Sequence, residues 1–197
     1  MKSRALMALA VTLALSGGSA VAAGNLLSDG DFESFDSLVA SGAFTTISAG
    51  SSALGAWTVG GVSVDLIQGA YNAITNVSVD LAGTPGPGWL SQSFAAIAGY
   101  TYTLTFDLAN NGGSQFAVTL GGVTTNFLPS NPATSKTVVW TATNSAMESV
   151  KFDSVAAGNS GPVIDNVILT AVPEPGTALM LLAGLAAVGF VAKRRKV

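Results

Sequence analysis

The chain has 197 residues, 49% of them apolar and 10% charged, with a net charge of −3 and neither cysteine nor histidine. That composition excludes a disulfide framework, a thiol nucleophile, a Cys/His zinc site and the Ser-His-Asp arrangement. Charge is unevenly spread: between Gly24 and Val172 two bases, Lys136 and Lys151, stand against ten acids, which gives about −8 and argues against nucleic acid as a partner.

The N-terminus reads as a secretory signal peptide over 1–23. Lys2 and Arg4 form its charged region, Ala5–Ser16 its apolar stretch, and Ala20-Val21-Ala22 its small-residue cleavage site. From 24 to 171 the pattern is that of one β domain. Asp31 and Glu33 flank Phe32 in an expected first strand. Further strands are expected at 62–67, 77–82, 89–94, 115–120, 137–142, 149–154 and 162–170. The strongest is "YTYTLTFDL" (100–108), which places Tyr100, Tyr102, Leu104, Phe106 and Leu108 on one face. Asn110-Asn111-Gly112-Gly113 follows as a turn, because Asn and Gly tolerate positive φ. The pentapeptide "VSVDL" occurs twice, at 62–66 and 77–81, and reads as two similar strands rather than a duplicated domain. Many short strands with frequent turns and no sustained helical period imply an all-β, antiparallel jelly-roll sandwich.

Chemistry-bearing residues are few. "GTPGPG" (83–88) lacks the Gly-Lys-Ser/Thr of a phosphate loop and reads as a strand connection. Ser135-Lys136 offers a weak nucleophile–base pair, and ten acids leave a two-carboxylate glycosidase open on composition. Aromatic rings can stack on sugars. Trp57 and Trp140 are expected inside, which leaves Tyr71 and Trp89, both beside turn-rich sequence, as the candidate ligand-binding residues.

The chain closes with Pro173-Glu174-Pro175, an apolar run over 176–192 and the basic cluster Lys193-Arg194-Arg195-Lys196. The run of 17 uncharged residues reaches about 25 Å at ~1.5 Å per residue, close to the ~30 Å of a hydrocarbon core once flanking bases snorkel. It is expected as one transmembrane helix, with the bases cytoplasmic and the acidic domain outside.

In order and position, this ending (172–197) resembles the PEP-CTERM sorting signal of Gram-negative bacteria. The resemblance implies an inner-membrane anchor, cutting near the triplet by a membrane-embedded cysteine protease, the exosortase, and delivery to the cell surface or medium of an exopolysaccharide producer. "NLLSDGDFES" (25–34), "VSVDLAGTPGPGWLSQSF" (77–94) and "FDSVAAGNSGPVIDNVIL" (152–169) resemble the choice-of-anchor C family of bacterial surface proteins, itself similar to galactose-binding-like sandwiches. In such sandwiches the first and last strands are neighbours and often hold a structural calcium. That implies Asp31, Glu33 and Asp165 as calcium ligands. The expected function is a non-enzymatic, exported module facing exopolysaccharide or cell-wall glycan. A self-associating structural surface protein and a glycan-active enzyme are the alternatives.

Overall fold

The computed structural model describes residues 24–112, 115–155 and 157–194. The signal peptide expected over 1–23, and Arg195 and Lys196 of the basic cluster, lie outside the described residues. The described chain forms eleven strands: β1 (Phe44–Ser48), β2 (Thr58–Gly61), β3 (Ser63–Gln68), β4 (Val77–Asp80), β5 (Gly88–Ala96), β6 (Tyr100–Asn110), β7 (Phe116–Leu120), β8 (Val123–Phe127), β9 (Thr134–Thr141), β10 (Ala146–Ser154) and β11 (Pro162–Pro173). A helix, α1, covers Pro175–Arg194. The strands make a six-stranded sheet in the order β1-β3-β4-β11-β6-β9 and a five-stranded sheet in the order β2-β5-β10-β7-β8. All neighbouring pairs are antiparallel. The all-β sandwich expected from the alternation is therefore the fold.

The alternation fills the space between the sheets. On β6 the side chains of Tyr102, Leu104, Phe106 and Leu108 are buried, and the threonines between them are partly exposed. Phe106 meets Phe116, Phe127 and Phe152 at ring separations of 5.6, 5.7 and 5.3 Å. Trp57 is buried as expected and donates its indole N–H to the Asp29 carbonyl at 3.0 Å. Trp140 is partly buried and packs on Tyr102 at 5.4 Å.

The expected strand through Asp31-Phe32-Glu33 does not form. Gly30 and Asp31 turn, and a 3-10 helix, η1, runs over Glu33–Leu38. Phe32 takes φ 56°, a left-handed conformation that breaks an extended run and drops its ring into the core 5.6 Å from Trp57. The expected neighbourhood of chain start and last strand is present, built from single contacts rather than a ladder. Leu26 N–H donates to Leu169 O at 2.8 Å and Val167 N–H to Gly30 O at 2.8 Å. The Asn25 amide donates to Val167 O at 2.8 Å and accepts from Leu169 N–H at 2.9 Å.

β3 and β4 are buried on both faces. Their inner residues join the sandwich core; their outer residues lie under η1 and the loops at 69–76 and 157–161. That cover shapes the site.

Candidate functional site

The two copies of "VSVDL" become β3 and β4, and antiparallel pairing sets their aspartates directly opposite: Asp65 pairs with Asp80. In the next row of the same outer face Asp165 pairs with Asp107. Among the described residues no base pairs with an acid of this face. Among the described residues the one ion pair is Lys151–Asp153, at 2.5 Å on the other sheet.

Above Asp65 and Asp80 lies a cleft of about 140 Å³. Its walls are Phe44, opening β1, and Tyr71, in the turn after β3. The rings stand edge to face, 5.6 Å apart at 87°, and are 43% and 44% exposed. Tyr71 and Asn72 take φ of 56° and 61°, and the Asn72 amide fastens this turn to Asn110 O at 2.9 Å. The floor is polar. Asp65 accepts the backbone N–H and the hydroxyl of Thr84, each at 3.1 Å. Asp80 accepts the Ala82 N–H at 2.8 Å, the Asn111 amide at 2.8 Å and the Gly161 N–H at 3.3 Å. Burial pushes the Asp80 carboxyl up to about 6, Asp65 adds in the same direction, and the three donors oppose the rise. Asn159 and Ser160 complete the rim.

The three acids expected to bind calcium are divided. Glu33 and Asp165 meet at the Thr75 hydroxyl, which lies 3.1 Å from the first and 2.5 Å from the second. Ser78 donates to Asp165 at 2.8 Å, as does Asn166 N–H at 2.7 Å; Val77 N–H and the Asn76 amide donate to Glu33 at 3.1 and 3.0 Å. Burial pushes Asp165 up to about 6, with Glu33 adding to it. Burial also acts to raise Glu33, but its donors outweigh that and hold it below the usual carboxylate value. Asp31 is exposed and lines a separate open groove with Asp29 and Asn166. Among the described residues no group of three or more acids converges as a metal site. The Glu33–Thr75–Asp165 cluster fastens η1 to β4.

Of the two aromatic candidates the structure brings Tyr71 into the cleft and not Trp89. Trp89 sits on β5 in the other sheet, half-buried. Its ring lies so close to Gly60 that a Cβ there would fall 1.9 Å from the indole, and Lys151 Nζ stands 4.9 Å from its centroid. The sequence reading missed Phe44, Asp65, Asp80 and Asn111; the repeated "VSVDL" was the available signal, since it sets both aspartates at one strand phase.

The sorting triplet is continuous with the sandwich. Pro173 is the last residue of β11, paired with Tyr100, and Glu174 N–H donates to Gly99 O at 3.0 Å. Helix α1 begins at Pro175; its 20 residues run about 30 Å at ~1.5 Å each. Lys193 and Arg194 at its end are exposed. The expected span 176–192 falls on this helix. Some of its side chains lie outside those described, and among the described residues no helix is long and apolar enough to cross a membrane.

Comparison with known proteins assigns both parts. Residues 25–170 match the family described as "Protein of unknown function (DUF642)", and residues 171–196 match the PEP-CTERM protein-sorting motif. The chain belongs to the DUF642 family and carries a PEP-CTERM sorting signal, the mark of exported exosortase substrates. No curated protein matches it. Among solved structures it is similar to a cyclase from Fischerella sp. TAU, at 16% identity and TM-score 0.54, over 77% of this chain and 98% of that one. This likeness shows the fold alone. TmCBM61 in complex with beta-1,4-galactotriose is 16% identical over 74% of this chain and 97% of its own, with a TM-score of 0.43. The C-terminal CBM6 of a marine laminarinase from Zobellia galactanivorans is 14% identical over 64% and 98%, also with a TM-score of 0.43.

Proposed function

We propose that the protein is an exported, non-catalytic glycan-binding module delivered by its PEP-CTERM tail, and that the cleft above Asp65 and Asp80 is the binding site. The observation that carries this reading is the pairing of two exposed aromatic walls, Phe44 and Tyr71, with a floor of carboxylates and an amide. Rings supply stacking surface for the apolar faces of a sugar; Asp65, Asp80 and Asn111 supply hydrogen-bonding partners for hydroxyls. The volume is well below the ~300–1,000 Å³ of pockets that enclose a drug-sized ligand, which suits one ring of a chain that otherwise stays in solvent. With no base in the lining, the cleft favours neutral or amino-bearing sugars and repels uronates. Asp65 and Asp80 are buried at 5% and 2% exposure and tied to Thr84, Ala82 and Asn111, which suits positioning more than acid–base turnover.

In this reading α1 holds the precursor in the inner membrane with its basic end cytoplasmic. Exosortase then cuts near Pro173-Glu174-Pro175, and the domain passes to the surface or medium among exopolysaccharide. The test is binding of the mature protein to a polysaccharide panel that includes neutral, amino and uronic polymers, with Tyr71→Ala alongside. Retention on neutral or amino polymers that Tyr71→Ala loses supports the reading. Retention on none, or equal retention by the variant, overturns it.

A further inference from the structure

We propose that the sandwich restrains its own sorting: the PEP-CTERM motif is presented as the final rungs of β11, and exosortase reaches its backbone only after those rungs leave β6. The inference rests on the sorting match and is independent of the glycan reading. The matched motif begins at residue 171, inside the strand. Ala171, Val172 and Pro173 pair with Tyr102, Thr101 and Tyr100. The next residue, Glu174, gives its N–H to Gly99 O at 3.0 Å. That turn is itself fastened, since Gly99 N–H donates to Ala142 O at 2.8 Å and Ala142 N–H to Tyr100 O at 3.0 Å. Helix α1 starts one residue later, so no linker separates folded domain from tail.

Side chain and backbone are thereby offered differently. Val172, Pro173 and Glu174 are exposed, so a partner can read these side chains on the folded protein. A peptidase that binds its substrate as an extended segment, however, needs the main-chain groups that β6 already holds. The segment that can leave is short. Thr170 and Ala171 are partly exposed, whereas Leu169 is fully buried and its N–H and C=O are held by Asn25 and Leu26. Opening therefore runs from Glu174 back to Thr170 and stops at Leu169, a local event that leaves the core closed.

The experiment is pulse-chase conversion of the full precursor to its mature mass in cells with an active exosortase. One variant inserts Gly-Ser-Gly-Ser between Val172 and Pro173, which frees the triplet and keeps its spacing to α1. A second carries Thr101→Cys with Val172→Cys, a directly opposed pair whose Cα atoms fall within the ~4.4–6.8 Å span of a disulfide. The chain has no other cysteine. The linker variant should convert at least about threefold faster, because the opening step is gone. The oxidised pair should convert at least about tenfold slower, with the rate restored by reductant, since a cross-link holds the rungs closed. The reduced protein controls for folding. Wild-type conversion in the linker variant, or in the oxidised pair, overturns the proposal.

Discussion

Asp65 and Asp80 stand directly opposite one another across β3 and β4, both buried, with no cation among their partners. Burial, and to a smaller degree the repulsion from Asp65, raises the Asp80 carboxyl to about 6, so it takes up a proton on mild acidification.

The consequence is an inverted pH dependence. The Asp80 and Asp165 carboxyls stand at about 6 in the fold, against ~3.9 for an unfolded aspartate. The folded state therefore binds protons more tightly, so stability grows as pH falls from 7 through 6 and levels off near ~4. Glu33, held low, acts in the opposite sense and loses its contribution only at more acid pH. The thermal midpoint should rise by several degrees between pH 7.5 and 5. Asp165→Asn, whose amide can meet the Thr75 and Ser78 hydroxyls, should remove part of that rise. Scanning calorimetry across this range is the check; a midpoint that falls on acidification contradicts the assignment.

Tyr71→Ala should weaken glycan binding about 5–10-fold, the effect of losing one stacking ring worth ~1 kcal/mol. Its melting temperature should stay within a degree or two of wild type, because the ring is 44% exposed. Trp89→Ala should leave the affinity unchanged, since Trp89 lies on the other sheet against Gly60. Isothermal titration with the polymer retained best in the panel separates the two.

Phe106→Ala should cost ~3–5 kcal/mol in urea unfolding. The residue is 1% exposed and touches three other phenylalanines. A loss under about 1 kcal/mol would mean that the site behaves as surface.

Calcium titration decides how Glu33 and Asp165 are satisfied. Both Asp165 oxygens already receive donors, from Thr75, Ser78 and Asn166, so melting in chelator and in millimolar calcium should coincide. A calcium-dependent rise that Asp165→Asn abolishes would instead establish a metal at this pair.

How far the chain could be read in advance depended on where each strand lies. Most strands spelled out by alternation, β6, β10 and β5 among them, are central ones, flanked on both sides and buried on alternate residues; β9, expected at 137–142, is the one edge strand among them. The strands not read as such, "FTTIS", "TVGG" and "VTTNF", are β1, β2 and β8, each at a sheet edge. Each of these three makes one ladder, so threonine, glycine and asparagine suffice and no period appears. Phe32 was misread for a different reason: its apolar side chain does reach the core, but from a left-handed turn residue rather than a strand. The site was half legible. "VSVDL" placed Asp65 and Asp80 on matching phases, yet their opposition, and the arrival of Asn111 and Phe44 beside them, follow from pairing across the sheet. Tyr71 and Trp89 gave the same sequence signal, a ring beside a turn; Gly60, distant in sequence, distinguishes them.

Strand β11 joins the cleft to the tail. It starts at Pro162, two residues after Ser160 on the cleft rim, and ends at Pro173. Its 12 residues span about 40 Å at ~3.4 Å each. While the tail is anchored, a pull between the cleft and the tail that acts along this strand runs parallel to its axis. The ten rungs it shares with β6 are then loaded together, in shear, whereas removal of the last few residues from the free end opens them one at a time. The same ladder resists a tug along the strand and yields to peeling at its end, so the direction of a pull decides whether the cleavage motif is exposed.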